Sequence, residues 1–312
     1  MSLAEYRKSL AGHQKHQKRA VYRALFPWLL ILPAVALRGF TAVYPIADTF
    51  RLSLTNLHFV RGTNDFVGLS NYIAIFHDAK ILDSLRFTFI FTILSTGLHF
   101  IAGLIIASLL NLPLRIKGLL RTVNLLPWAI PTIVMAIAGQ YMFQPEFGLV
   151  NDLYNFLFST HSRPVWLSSV WGARSAVILV DVWKNVPFLA IVLLAGMQGI
   201  PLELNEAARV DGASGFKIFT SITLPLLAPT MVTMAIFVSL FRLFSFDLVY
   251  GLTKGGPGTA TSLLAYRTYY DAFNALSFGY AATTAFLLFS MVAILGLIGF
   301  GALRFVERRY GS

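Results

Sequence analysis

The sequence predicts an all-α fold, a polytopic membrane bundle of six transmembrane helices. Three observations carry this. Of 312 residues, 56% are hydrophobic and only 12% charged, with a mean hydropathy of +0.68; a soluble domain carries roughly twice that charge. Six apolar stretches, near 22–48, 86–110, 121–143, 174–197, 226–250 and 282–304, match the ~20 residues needed to cross a bilayer. Lipid offers backbone groups no partner, so segments of this length must pair internally as helices.

Charge sets the orientation of these spans. Of the 25 Lys and Arg residues, 14 fall in the N-terminal segment through Arg23, the connectors around 111–121 and 198–225, and the end from Arg304. Placing them on one side puts both termini in the cytoplasm, by the positive-inside rule. The outward connectors, 49–85, 144–173 and 251–281, balance bases against acids. Topology therefore accounts for the net charge of +11, with no need for nucleic acid. Residues 1–21 read as a mobile basic cytoplasmic tail against anionic membrane lipid, and 22–312 as the membrane domain. "AVA" at 34–36 mimics a signal-peptidase site, but the segment reads as a retained first span.

Several chemistries are poorly supported. There is no Cys, so no disulfide or thiolate nucleophile. His13 and His16 lie three apart in the tail with no third ligand, which reads as solvated surface rather than metal site. No G-x-x-x-x-G-K-[ST] is present to cradle a nucleotide phosphate. "TKGGPGTAT", 253–261, reads as an outward turn. With no G-x-S-x-G or H-E-x-x-H either, the chain reads as a non-enzyme.

The informative connector is 199–225, between the fourth and fifth spans. In "GIPLELNEAARVDGASG" Pro201 suits a first helical position. Glu203 and Glu206 then meet the positive helix end. Gly212 stands where a left-handed C-terminal residue is wanted. Ser214 caps a second short helix, expected to stop at Pro225. The polar residues of this connector fit a solvated surface hairpin. The mix of small, apolar and charged residues in "ARVDGASGFKIF", without a clear solvent face, fits a helical knob inserted into another protein; the residues alone leave both open.

The stretch "EAARVDGASGFKIFTSITLPLLAP" resembles the EAA loop of binding-protein-dependent ABC importer permeases. It matches through Glu206, Ala207, Ala208, Asp211, Gly212, Ala213, Leu224, Pro225 and Pro229. "RTVNLLPWAIPTIVMAIAGQYMF", "VWKNVPFLAIVLLAGMQGIP" and "FDLVYGLTKGGPGTATSLLAYRTYYDAF" resemble the carbohydrate branch, of the first-permease type found in maltose and glycerol-phosphate importers. The resemblance implies a multi-pass subunit of the bacterial inner membrane. It implies a second, non-identical permease, two ATPase subunits that hold ATP and Mg, and an extracytoplasmic binding protein that delivers a sugar. Transport would be by alternating access, with no cofactor on this chain. The implied ATPase contact is Glu206, Ala207, Ala208, Arg209, Asp211 and Gly212.

Polar residues inside spans mark a candidate substrate path, because each costs on the order of 3 kcal/mol at mid-bilayer. Asp181 and Lys184 share a helix face, so a structural ion pair between them is the first expectation. Asn185, Arg242 and Asp247 are further candidates. Arg242 and Asp247, five apart, would find separate partners. Trp128, Trp183, Tyr141, Phe244 and Phe246 could stack on a sugar, or simply pack. Arg38 in the first span either snorkels or marks a later start. Arg38, Lys184 and Arg242 outnumber the acids at that depth, which admits an acidic or phosphorylated sugar. Pro127 and Pro131 should kink the third span. Gly103 and Ala107 form a small-residue step for close packing. The rival reading is a stand-alone secondary transporter or channel, which would need neither the EAA helices nor an ATPase.

Overall fold

The computed structural model describes residues 3–310, with side chains from 26 to 308. The helices in chain order are α1 (Leu3–Ser53), α2 (Ser70–Ile75), α3 (Ala79–Asn111), α4 (Lys117–Ala129), α5 (Thr132–Met142), α6 (Leu149–Phe158), α7 (Val170–Gln198), α8 (Leu202–Val210), α9 (Gly215–Ile218), α10 (Leu224–Leu243), α11 (Asp247–Leu252), α12 (Leu264–Tyr269) and α13 (Phe278–Tyr310). Among the described residues there are isolated β-bridges but no strand. Five helices are long and apolar enough to span a bilayer, and six spans result if α4 and α5 count as one.

The chain divides at Arg51 into two compact units. The first consists of α1, which holds Pro27, Pro33 and Pro45 without ending. Its spanning stretch is Phe26–Ser53, so Arg38 stays inside it, exposed; a later start does not remove the charge. The basic segment from Leu3 continues this helix where a mobile tail is expected. The side chains of His13 and His16 lie outside the described residues.

In the second unit, α3 and α7 pack in parallel. Ser95 meets Asp181, and further along a Cβ on Gly103 would lie 3.3 Å from Leu189. The step of Gly103 and the fully buried Ala107 allows this approach. Each helix starts on a side-chain cap that satisfies a free N–H: Asp78 accepts from Lys80 N–H at 2.8 Å and Ser169 from Gly172 N–H at 3.0 Å. These caps place α3 two turns earlier than hydropathy alone suggests. One apolar cluster, with Phe87, Phe91, Val177 and Leu248, lies toward the start of α7; another, with Ala107, Leu193, Met197 and Leu227, lies toward its end.

Two spans differ from expectation. The third is not one kinked helix: α4 and α5 meet at 90° across Ile130 and Pro131. Pro131 has no N–H to continue the ladder and forces Ile130 out of the helical region, to ψ 133°. Pro127 stays inside α4. The fifth span ends at Leu243 rather than near 250. It begins earlier, because α9 runs through a π-helical stretch at Phe219–Thr223 directly into α10. Pro225 therefore does not stop the helix. The wider π turn displaces the carbonyl that a proline ring would otherwise strike.

Close backbone packing at the start of α13 yields a stability test. A Cβ on Gly279 would sit 2.0 Å from the Thr55 carbonyl oxygen. Gly279→Ala is expected to lower the detergent-solubilised unfolding midpoint, at a cost of about 1–3 kcal/mol; an unchanged midpoint would show that this junction yields freely.

Candidate functional site

Between the two apolar clusters lies a buried polar one, built by three helices. Asp181 on α7 is its centre. Its carboxylate forms an ion pair with Arg242 Nε from α10 at 2.6 Å, and accepts hydrogen bonds from the Ser95 hydroxyl of α3 and from Asn185 Nδ2, one turn on, at 3.0 Å. Arg242 also donates to His99 Nε2 at 2.9 Å. Arginine has no acceptor, so His99 Nε2 is the lone-pair nitrogen, and Nδ1 carries the proton toward the Ser95 carbonyl. Ser95, His99, Asp181 and Arg242 are all buried.

The expected pairing of Asp181 with Lys184 does not form. Asp181 faces α3 and α10, and Arg242 of α10 reaches it at ion-pair distance through Nε. Lys184, 7% exposed, turns toward the helix break and approaches the Trp128 carbonyl at 3.4 Å. That carbonyl sits at the end of α4, where the bend removes its helical donor. A cation suits the negative end of a helix.

These groups line a cavity of about 410 Å³. Its floor is the break at Ala129–Thr132; its polar wall is His99, Lys184, Asn185 and Arg242. Aromatic rings line it as well. Trp128 stacks on Phe188 at 5.1 Å between centroids, Phe188 meets Phe237 at 6.2 Å, and Phe237 meets Phe241 at 4.6 Å. Flat apolar faces beside cationic and amide donors suit a polyhydroxylated ring with a charged substituent.

The structure thus brings together Lys184, Asn185, Arg242 and Trp128 from the expected set, with Asp181 behind them. It does not bring in the rest. Trp183 lines a separate hollow with Pro127 and Pro187. Tyr141 is exposed near the end of α5, and Phe244 caps α10 facing outward. Asp247 is exposed at the start of α11, and Phe246 packs among Tyr250, Tyr266 and Tyr269. Ser95, His99, Phe188, Phe237 and Phe241 were not singled out from sequence. His99 had a signal, being an ionisable group inside a span with Ser95 one turn before it. The phenylalanines had none in so aromatic a chain.

At the end of the bundle where α7 finishes, the 199–225 connector forms two short helices about Gly212. Pro201 is the N-cap of α8, one residue outside its expected place. Gly212 has φ +79°. Its N–H reaches the Arg209 carbonyl at 3.0 Å, and Ala213 N–H reaches that of Ala208 at 2.9 Å, the paired bonds of a Schellman ending. Ser214 caps α9 through Lys217 N–H. Glu206, Ala207, Arg209 and Asp211 are exposed, and Ala208 partly so. Val210 and Phe216 are 88% and 78% exposed, an apolar surface that water disfavours.

Comparison with known proteins decides the family. The family described as binding-protein-dependent transport system inner membrane component matches residues 99–312. The chain belongs to it. The trehalose/maltose transport system permease protein MalF of Thermococcus litoralis is 38% identical over 269 residues, covering 85% of this chain and 89% of that one. The sulfoquinovosyl glycerol transport system permease protein SmoG of Agrobacterium fabrum is 36% identical, covering 84% and 85%. The sn-glycerol-3-phosphate transport system permease protein UgpA of Yersinia enterocolitica is 32% identical, covering 91% and 94%. A chain of a bacterial ABC transporter that imports the acidic polysaccharide alginate shares the fold, with TM-score 0.79 at 19% identity over 94% of this chain and 99% of that one. This permease is therefore a transmembrane component of an importer rather than a transporter working alone. Such family components carry transport and not catalysis.

Proposed function

We propose that this permease carries a sugar or oligosaccharide with an acidic group through the cavity at the α4–α5 break. It does so by alternating access, driven by two ATPase subunits that dock on α8 and Gly212. A second, non-identical permease completes the path, and an extracytoplasmic binding protein delivers the cargo. Both termini and α8 face the cytoplasm of a bacterial inner membrane, in which the chain is multi-pass with six spans. ATP and Mg belong to the ATPase partners.

The observation that carries this reading is the charge balance of the cavity. Asp181 neutralises Arg242 at 2.6 Å, so the positive charge of Lys184 is left facing the space. The named cargoes of the relatives divide, since trehalose and maltose are neutral while glycerol 3-phosphate is anionic. The cavity's own charge therefore supports an anionic cargo. The exposed Schellman turn supports the docking half of the reading, since small residues and a charged rim favour close insertion.

Reconstitution with the partner permease, ATPases and binding protein tests it. ATP hydrolysis should rise on addition of an acidic or phosphorylated sugar, and uptake should cease without ATPase. Uptake that persists without them would restore the stand-alone reading. Lys184→Gln should raise the half-saturating concentration of that sugar by about tenfold, equivalent to ~1.4 kcal/mol. An unchanged value would remove Lys184 from the path.

A further inference from the structure

A second cavity, of about 370 Å³, opens at the other end of the bundle from α8. The placement follows from the packing: α3 and α7 run in parallel, so Lys80 at the start of α3 lies a full span from the end of α7 that leads into α8. The loop between α11 and α12 forms the opposite wall with Lys254, Gly255 and Gly258. Tyr266 and Tyr270 of the following helical turns complete it.

The wall is a built surface. Lys254, Gly255 and Gly258 all take positive φ, at 50°, 80° and 59°. Buried Thr261 pins the loop, its hydroxyl meeting Thr253 Oγ1 and the Gly256 carbonyl at 2.7 Å each. A Cβ on Gly255 would lie 2.7 Å from the Tyr266 ring, so glycine lets the loop lie directly on that tyrosine. Burial raises the affinity of the Tyr266 hydroxyl for its proton above the ordinary phenol range, and it stays a neutral donor.

The charges in this cavity are unequal. Arg267 is spent on Asp271, with contacts of 2.7 and 2.9 Å. Lys80 and Lys254 form no ion pair among the described residues. Two ammonium groups without a salt-bridge partner, Lys80 within electrostatic reach of Asp271, thus share a concave, tyrosine-lined space whose volume suits a small molecule.

We propose that this cavity is an outer subsite for an anionic saccharide, holding its carboxylate or phosphate between Lys80 and Lys254 and its ring against Tyr266 and Tyr270. The subsite rests on the reading of the permease as an anionic-sugar importer, and lies ahead of the Lys184 cavity on the same route. Concentrating cargo at the mouth by opposite charge raises the rate at which it is captured.

The absence of Cys from the chain gives a site-specific test. Thr259, which lines the cavity, is replaced in the assembled complex by T259C, and the rate of its modification by a neutral thiol reagent is measured without nucleotide. Glucuronate and glucose 6-phosphate should each slow modification by about tenfold, and glucose by less than about twofold. The protection should vanish in T259C/K80Q/K254Q and persist in T259C/K254R. Equal protection by glucose, or protection surviving in the Gln variant, overturns the proposal. Slowing by the binding protein alone and by no sugar also overturns it, making the surface a protein contact. Should the double Gln variant not assemble, T259C/K254Q carries the same expectation of weakened protection. Because nothing is transported in this assay, its result is separate from the uptake experiment on which the import reading stands.

Discussion

Gly212→Val should assemble with its partners and yet fail to couple ATP hydrolysis to uptake, cutting transport by about tenfold or more. The reason is conformational rather than steric. Nothing lies within 4 Å of a Cβ built on Gly212, so the surroundings would accept a side chain. The backbone would not: φ is +79°, a region that costs an L-residue ~1–2 kcal/mol and a β-branched one more. Relief of that strain breaks the bonds from Gly212 and Ala213 N–H to the carbonyls of Arg209 and Ala208, and α8 then leaves the chain at another angle. Gly212→Asn is the control, since asparagine tolerates this region; it should keep most of the coupling. Subunit assembly by gel filtration and sugar-stimulated ATPase in vesicles would separate the outcomes. Undiminished uptake by the Val variant would mean that the α8 geometry transmits nothing.

The second large effect is expected at Asp181. Asp181→Leu strands Arg242 in the membrane interior, takes the carboxylate acceptor from Ser95 and leaves Asn185 only the backbone carbonyl of residue 181. Removing one partner of a buried ion pair costs about 3–5 kcal/mol. The variant should accumulate poorly and unfold at markedly lower temperature in detergent. The double variant Asp181→Leu with Arg242→Met removes both charges and should recover most of that stability, because two well-packed apolar groups need no solvation. The double variant would still leave Lys184 in place. Additive losses in the two single variants and the double would show that the pair contributes no coupling, and Asp181 and Arg242 would then act as separate polar residues.

Much of the fold was legible before any coordinates. Hydropathy located the five helices long and apolar enough to span and the stretch that holds the bent α4–α5 pair. The turn chemistry of Gly212 and Ser214 was read correctly because capping is local: the φ of a helix ending and the hydroxyl that covers its amides depend on neighbours in sequence. Pro131 also marked the right place. Its effect was larger than a kink because the break is stabilised from outside, by Lys184 meeting the freed Trp128 carbonyl. Pro225 was misread as a stop because proline was weighed without the π turn before it.

The site itself divides along the same line. Asp181, Lys184, Asn185 and Arg242 stood out because ionisable and amide groups inside spans are costly and rare. Which charge meets which could not be read from spacing. The spacing of Asp181 and Lys184 permits a pair, yet Arg242, 61 positions beyond Asp181 in the chain, takes the carboxylate.

The sequence by itself determined the helical class, where the long apolar helices lie, the turn at Gly212 and the cost attached to each charge within the membrane. These follow from solvent and backbone physics acting over a few residues. Only the tertiary structure decided that Asp181 cancels Arg242 and leaves Lys184 facing a cavity. That choice depends on parallel packing of α3 against α7 and on the approach of α10, distances that no local pattern encodes.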